Sequence, residues 1–211
     1  MNINNNTILF QGDSITDCGR NRETTEPNIG LGNGYVHLTA SKLMAQHPIA
    51  DLSIFNRGIS GHRIVDLYAR WKVDCINLRP DVLSVLVGIN DTWHGFNHNN
   101  GVSPTRYERF YREMLWWTRK ELPNIKFILG EPFALPVGAV DKSWLPEVNE
   151  RRAIVKKLSE EFDAAFVPFQ TIFDEAAKKA RPEYWLRDGV HPTLGGHELM
   201  SEAWLKEFEK I

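Results

Sequence analysis

The chain has 211 residues, 42% hydrophobic and 25% charged, which at roughly 150 residues per domain suits one medium-sized domain with a substantial core and argues against disordered, collagen-like or coiled-coil architectures. Lys and Arg total 25 against 27 Asp and Glu, a formal charge of -2, so neither nucleic acid nor an anionic membrane is an expected partner and a neutral or weakly charged small molecule fits better. There is no apolar run of about 18 residues and no basic or long apolar leader at Met1-Asn-Ile-Asn-Asn-Asn6, and Cys18 and Cys75 lack metal-ligand spacing, so the expectation is a cytoplasmic chain with free thiols.

Short β-branched apolar runs alternate with longer stretches of helical spacing, the pattern of parallel βαβ units. Thr7-Ile-Leu-Phe-Gln11 reads as a first strand, followed by a helix from Tyr35 to Gln46 that Pro48 stops. Leu52-Ser-Ile-Phe-Asn56 is a second strand, after which Ile64, Val65, Tyr68 and Trp71 share one helical face. Val82-Leu-Ser-Val-Leu-Val87 is nearly all apolar, as a central strand buried on both faces should be. Ser103 and Pro104 open a helix whose apolar face is Tyr107, Phe110, Tyr111, Met114 and Leu115 and which Pro123 ends. Ile125-Lys-Phe-Ile-Leu129 is a fourth strand, Val148 to Phe162 a helix, Ala165-Phe-Val167 a fifth strand and Leu194 to Glu209 a closing helix with Leu199, Met200, Ala203, Trp204 and Phe208 inward. The reading is a single α/β domain over residues 1–211, a three-layer sandwich with about five parallel strands and its chemistry just beyond the strand ends, at 12 to 16, 57 to 61 and 88 to 94.

Ser14, in Gly12-Asp-Ser-Ile-Thr16, follows the first strand and is the candidate nucleophile. A serine hydroxyl needs a base, and the base needs a group to orient it. Asp188-Gly-Val-His191 supplies both near the C-terminus. Charge developing on an ester carbonyl needs hydrogen-bond donors, for which the Ser14 N–H, the Gly58 N–H and the Asn90 side-chain amide are candidates. Taken singly each has a plainer reading: Gly-Asp-Ser and Gly58 as turns, Asn90 as an Asx turn, Asp188 and His191 as surface polar residues. Trp93 and Trp185 lie beside these motifs and are candidate substrate contacts; Trp71 and Trp204 fit buried helical faces.

Together, Gly12-Asp-Ser-Ile-Thr16, Gly58, Gly88-Ile-Asn90-Asp91 and Asp188-Gly-Val-His191 resemble, in order and placement, the four blocks of the SGNH or GDSL-type serine hydrolases, with Ile15 where the GDSL name has leucine. The resemblance implies a flavodoxin-like α/β/α sandwich that hydrolyses esters through Ser14, His191 and Asp188, an oxyanion hole of Ser14, Gly58 and Asn90, and no metal or organic cofactor. Longer stretches, Gly12-Asp-Ser-Ile-Thr-Asp-Cys-Gly-Arg20, Gly32-Asn-Gly-Tyr-Val36, Asp66-Leu-Tyr-Ala-Arg-Trp71 and Gly88-Ile-Asn-Asp-Thr-Trp93, resemble the intracellular bacterial acetylxylan or xylo-oligosaccharide acetyl esterases of that family. This implies a small acetylated oligosaccharide as substrate. A lysophospholipase or thioesterase would use the same residues, and a sugar- or nucleotide-binding module would use the same crevice without turnover. Against the module, Gly30-Leu-Gly-Asn-Gly34 matches no phosphate-loop pattern. The aromatic segment 107 to 117 reads either as core or as the interface of a homo-oligomer.

Overall fold

The apolar runs form five strands in the computed structural model, which describes residues 3, 4 and 6–211: β1 (Thr7–Gly12), β2 (Ser53–Asn56), β3 (Val82–Leu86), β4 (Lys126–Gly130) and β5 (Ala165–Val167). All pair in parallel, in the order β2-β1-β3-β4-β5, with Ile8 opposite Ile54 on one side and Val82 on the other. Nine helices are described: α1 (Ser14–Asp17), α2 (Tyr35–Gln46), α3 (Ile64–Asp74), α4 (Ile89–His98), α5 (Pro104–Glu121), α6 (Leu145–Glu161), α7 (Phe169–Ala177), α8 (Pro182–Trp185) and α9 (Leu194–Phe208).

Successive strand side chains point to opposite faces, and both faces are covered. Ile8, Phe10, Val82 and Ile128 join Leu43 of α2, Phe173 of α7 and Trp204 of α9 in one apolar layer. Leu9, Leu83, Val85 and Phe127 meet Trp71 of α3, Tyr111 of α5 and Val155 of α6 in the other. This explains why β3, flanked on both sides and buried at every position, has so apolar a sequence. The two buried indoles keep partners: Trp204 Nε1 donates to Ser84 Oγ at 2.9 Å and Trp71 Nε1 to Thr118 Oγ1 at 2.8 Å. Truncating either tryptophan to alanine should destabilise the fold by about 3–5 kcal/mol.

The strands and the long helices lie where the periodicity predicts them, within a few residues. Four short or polar helices do not announce themselves. α1 is a single turn nucleated by the Asp13 side chain, which accepts from the Ile15 N–H at 3.0 Å. α4 is mostly polar and buries only its first turn, Ile89 to Thr92. α7 and α8 are brief, nine and four residues long. For function the important feature is the order reversal at β1, whose neighbours are β2 and β3. The crevice beyond the carboxyl ends of β1 and β3 is the place where such sheets bind ligands, and Ser14 and Asn90 both lie there.

Candidate active site

Ser14 is the first residue of α1, directly beyond β1, so its N–H has no intrahelical acceptor and its side chain stands at the crevice. Ser14 Oγ lies 2.8 Å from His191 Nε2, and His191 Nδ1 lies 2.7 Å from Asp188 Oδ2. Asp188 Oδ1 also accepts the backbone N–H groups of His191 at 2.8 Å and Val190 at 3.1 Å. Partial burial pushes the Asp188 carboxyl up, but these hydrogen bonds outweigh it and hold the group below the ordinary carboxylate range. A carboxylate can only accept, so Nδ1 carries the imidazole proton and Nε2 turns a lone pair toward the Ser14 hydroxyl. The turn is braced from outside by Leu135 N–H to Gly189 O and Ala139 N–H to Asp188 O, both 2.9 Å. Such an arrangement can take a proton from Ser14 and return it to a leaving group.

The third loop, between β2 and α3, departs from expectation. The Gly58 N–H donates to Asn56 Oδ1 at 2.9 Å, an Asx turn, and is committed inside its own loop. Glycine is required at 58 for a different reason: a Cβ there would lie 2.4 Å from the Asp17 backbone nitrogen, so the loop packs directly on α1. The expected Gly58 donor is therefore corrected. Its neighbours are committed as well: Arg57 N–H to Phe10 O, Ile59 N–H to Gly12 O, Ser60 N–H to Asp17 Oδ2, His62 N–H to Ile59 O, and Arg63 N–H to Asp66 Oδ2. Gly61, at φ +83° with open space around its Cβ position, is the residue of this stretch whose N–H has no acceptor among the described residues. The Asn56-Arg-Gly58 pattern is itself an Asx-turn signal, and would have disqualified Gly58 in the sequence.

Asn90 is buried near the start of α4, and its Nδ2 donates to His62 O at 3.2 Å, which uses one amide hydrogen and leaves the other. Gly61 adjoins the residue that holds Asn90. One turn further along α4, the half-buried Trp93 ring lies 6.0 Å from the His191 ring and 5.3 Å from Trp144, which Phe96 stacks upon at 5.6 Å. Trp185 is placed differently. Its ring meets Tyr184 edge-on and lies over Gly195 of α9, with Nε1 buried. The ring of a second histidine, His197, accepts the Tyr35 N–H at Nδ1 (3.1 Å) and faces Cys18 Sγ through Nε2 (3.3 Å). Its one ring proton is therefore directed at sulfur, and it offers no base to Ser14.

Two buried carboxyls lie under the site. Burial pushes Asp13 up to about 7 and Asp91 up to about 8. Asp91 accepts the Ile64 N–H at the start of α3 at 3.1 Å, whereas Asp13 Oδ2 has no partner. Among the described residues no cluster of His, Cys, Asp and Glu is placed to hold a metal ion.

The chain is similar over most of its length to several known proteins. A model of the GDSL-like lipase/acylhydrolase family matches residues 10–199. An acetylxylan esterase of Geobacillus stearothermophilus is 36% identical over 205 residues, 95% of this chain and 92% of its own. Its crystal structure superposes with a TM-score of 0.88 over 98% of this chain and 96% of that chain. A structure from Parabacteroides merdae described as a GDSL-like lipase is 44% identical, with a TM-score of 0.95 over 98% of this chain and 96% of that one.

Proposed function

This chain belongs to the GDSL-like lipase/acylhydrolase family and is a carboxylic ester hydrolase, and we propose that it deacetylates short acetylated sugars such as xylo-oligosaccharides through an acyl-enzyme on Ser14. The observation that carries this reading is the hydrogen-bonded chain Ser14–His191–Asp188 at the carboxyl end of β1. Further support comes from the Geobacillus enzyme, whose solved structures include catalytic mutants with a serine, an aspartate or a histidine replaced by alanine.

In this mechanism Ser14 Oγ attacks the acetyl carbonyl carbon while His191 Nε2 takes the hydroxyl proton. The oxyanion accepts hydrogen bonds from the Ser14 N–H, the Gly61 N–H and Asn90 Nδ2. His191 then protonates the departing sugar oxygen as the carbon–oxygen bond breaks. Water, deprotonated by the same nitrogen, attacks the acetyl-enzyme and releases acetate and Ser14. Throughout, Asp188 stabilises the imidazolium and fixes its orientation.

Because the leaving oxygen must lie within hydrogen-bond reach of His191 Nε2, the sugar that bears it lies beside whatever flanks that ring. Trp93 does so, and its indole face is the sugar contact of this reading. Trp185, turned onto α9, is assigned to packing. A cavity of about 300 Å³ lined by Ile3, Leu43, Gln46, His47, Leu205 and Phe208 is not bordered by Ser14, His191 or Asp188. No described helix is long and apolar enough to cross a membrane. Cytoplasmic location and self-association remain parts of the proposal. In segment 107 to 117, Tyr107, Tyr111, Met114 and Leu115 are core, so Trp116, 53% exposed, is the apolar residue a second copy would cover.

The test compares acetyl, butyryl and octanoyl esters of p-nitrophenol, then peracetylated xylo-oligosaccharide with lysophospholipid. Acetyl esters and the sugar should be cleaved fastest. Faster octanoyl turnover or a preference for lysophospholipid would replace the sugar reading with a lipid one.

A further inference from the structure

Asp17 is the last residue of the nucleophile's own helix and is 2% exposed. Its carboxylate faces the β2–α3 loop. Oδ2 accepts the backbone N–H and the hydroxyl of Ser60, both at 2.9 Å, and pairs with Arg22; Oδ1 accepts the Arg20 N–H at 3.3 Å. Two further ties join the same two segments: Asn56 Nδ2 donates to Thr16 O at 2.7 Å, and Arg20 Nε donates to Gly58 O at 2.6 Å. Burial opposes the charge on Asp17, but the bonds from Arg22 and Ser60 outweigh it, so the group remains a carboxylate well into the acid range.

The free Gly61 N–H belongs to the peptide unit that begins at the carbonyl carbon of Ser60. Fixing Ser60 through its N–H and its hydroxyl leaves that unit little freedom to rotate. We propose that Asp17 is the positioning residue of the oxyanion hole, pinning Ser60 to the nucleophile's helix so that the Gly61 N–H and Ser14 keep one fixed relation. The inference rests on the reading of Gly61 and Asn90 as oxyanion donors. Asp17 touches no reacting atom and acts through Ser60. Since a misplacement of about 1 Å can lower a rate about 10²-fold, a tether of this kind affects the transition state more than the bound substrate.

The experiment measures Asp17→Ala, Asp17→Asn and Ser60→Ala beside Asn90→Ala, with p-nitrophenyl acetate and with a boronic acid that forms a tetrahedral adduct on Ser14. Asp17→Ala should lower kcat about 10- to 10²-fold with KM within about 3-fold, and weaken the boronate by a similar factor. Asp17→Asn should recover most of the loss, because an amide oxygen still accepts the Ser60 N–H, and Ser60→Ala should show a smaller loss in the same two readouts. Combined with Asn90→Ala, the Asp17→Ala effect should be less than additive, as expected of groups serving one site. Unchanged kcat in Asp17→Ala, or a loss confined to thermal stability or KM, overturns the inference. Should that variant fail to fold, Ser60→Ala decides by the same criterion: kcat and boronate affinity falling together support the tether, and neither moving overturns it. Asn90→Ala within a few-fold of wild type would sink the oxyanion reading and this inference with it, whereas normal Asp17→Ala beside a crippled Asn90→Ala sinks this inference alone.

Discussion

The turn from Asp188 to His191 and the loop from Asn56 to Arg63 both meet the helix that carries Ser14, yet in the proposed mechanism one works with side chains and the other with a backbone amide. In the turn, Asp188 takes the Val190 and His191 N–H groups and the His191 ring, so its geometry is set within one short stretch of chain. Both side chains remain about one-third exposed. The loop is fixed from outside, by Asn56 to Thr16, Arg20 to Gly58 and Asp17 to Ser60. A side-chain device fails when one group is deleted. A backbone device fails when a peptide tilts, and the residues that prevent tilting need not touch the substrate.

The largest effect should come from the shared target of the two regions. Ser14→Ala should lower kcat by several orders of magnitude, about 10⁴- to 10⁶-fold, with little change in stability, and a serine-directed fluorophosphonate should label Ser14 in the parent alone. Labelling at another residue would break the comparison outright. Asp188→Asn should follow, at about 10³- to 10⁴-fold in kcat, because an amide no longer imposes the Nδ1–H tautomer. Asn90→Ala should lower kcat about 10²- to 10³-fold with little change in KM. Steady-state kinetics on p-nitrophenyl acetate ranks these three, and the side-chain turn should prove the more sensitive.

The two glycines of the loop sharpen the contrast in stability. Gly58→Ala drives a Cβ to 2.4 Å from the Asp17 nitrogen, so helix and loop must part, at about 3 kcal/mol or more. Gly61→Ala meets open space and bears only the strain of a positive φ, about 1–2 kcal/mol. Urea unfolding measures both, and equal losses would show that Gly58 is not the packed position. A separate effect on stability concerns the buried carboxyls. A carboxyl raised in the folded protein favours folding fully only below its unfolded value near 3.8, and that contribution is lost as pH rises through the folded value, about 7 for Asp13 and about 8 for Asp91. Tm should therefore decline between about pH 4 and pH 8, and Asp91→Asn, which keeps an oxygen for the Ile64 N–H, should flatten that decline. An unchanged slope would mean that Asp91 ionises normally in its buried position.

Sequence and structure part company along the same line. Ser14, Asp188, His191 and Asn90, the side chains of the proposed mechanism, could be named from the sequence because the chemistry proposed for them resides in the side chain, and chemistry of that kind is spelled by residue type. The sheet was legible because β3 is apolar throughout and the α5 face repeats at helical spacing. Gly61 was not, since every non-proline residue carries an N–H and only the set of its neighbours' hydrogen bonds shows which one is free. α1 was hidden because it is a single turn held by the Asp13 cap, and α4 because it is mostly polar and buries only its first turn.

The Ser14–His191 contact joins residues 177 positions apart, and this separation has a consequence for how the molecule matures. During synthesis β1, β2 and β3 can pair once the chain has passed residue 86, yet the base arrives almost last, just ahead of α9. Such long-range closure is slow relative to local pairing. On the proposed mechanism, a nascent or truncated chain that has built its central sheet still holds a serine without its base. Hydrolysis should then begin only when the C-terminal segment docks, so the appearance of turnover during refolding should time the final assembly step, distinct from the earlier recovery of secondary structure.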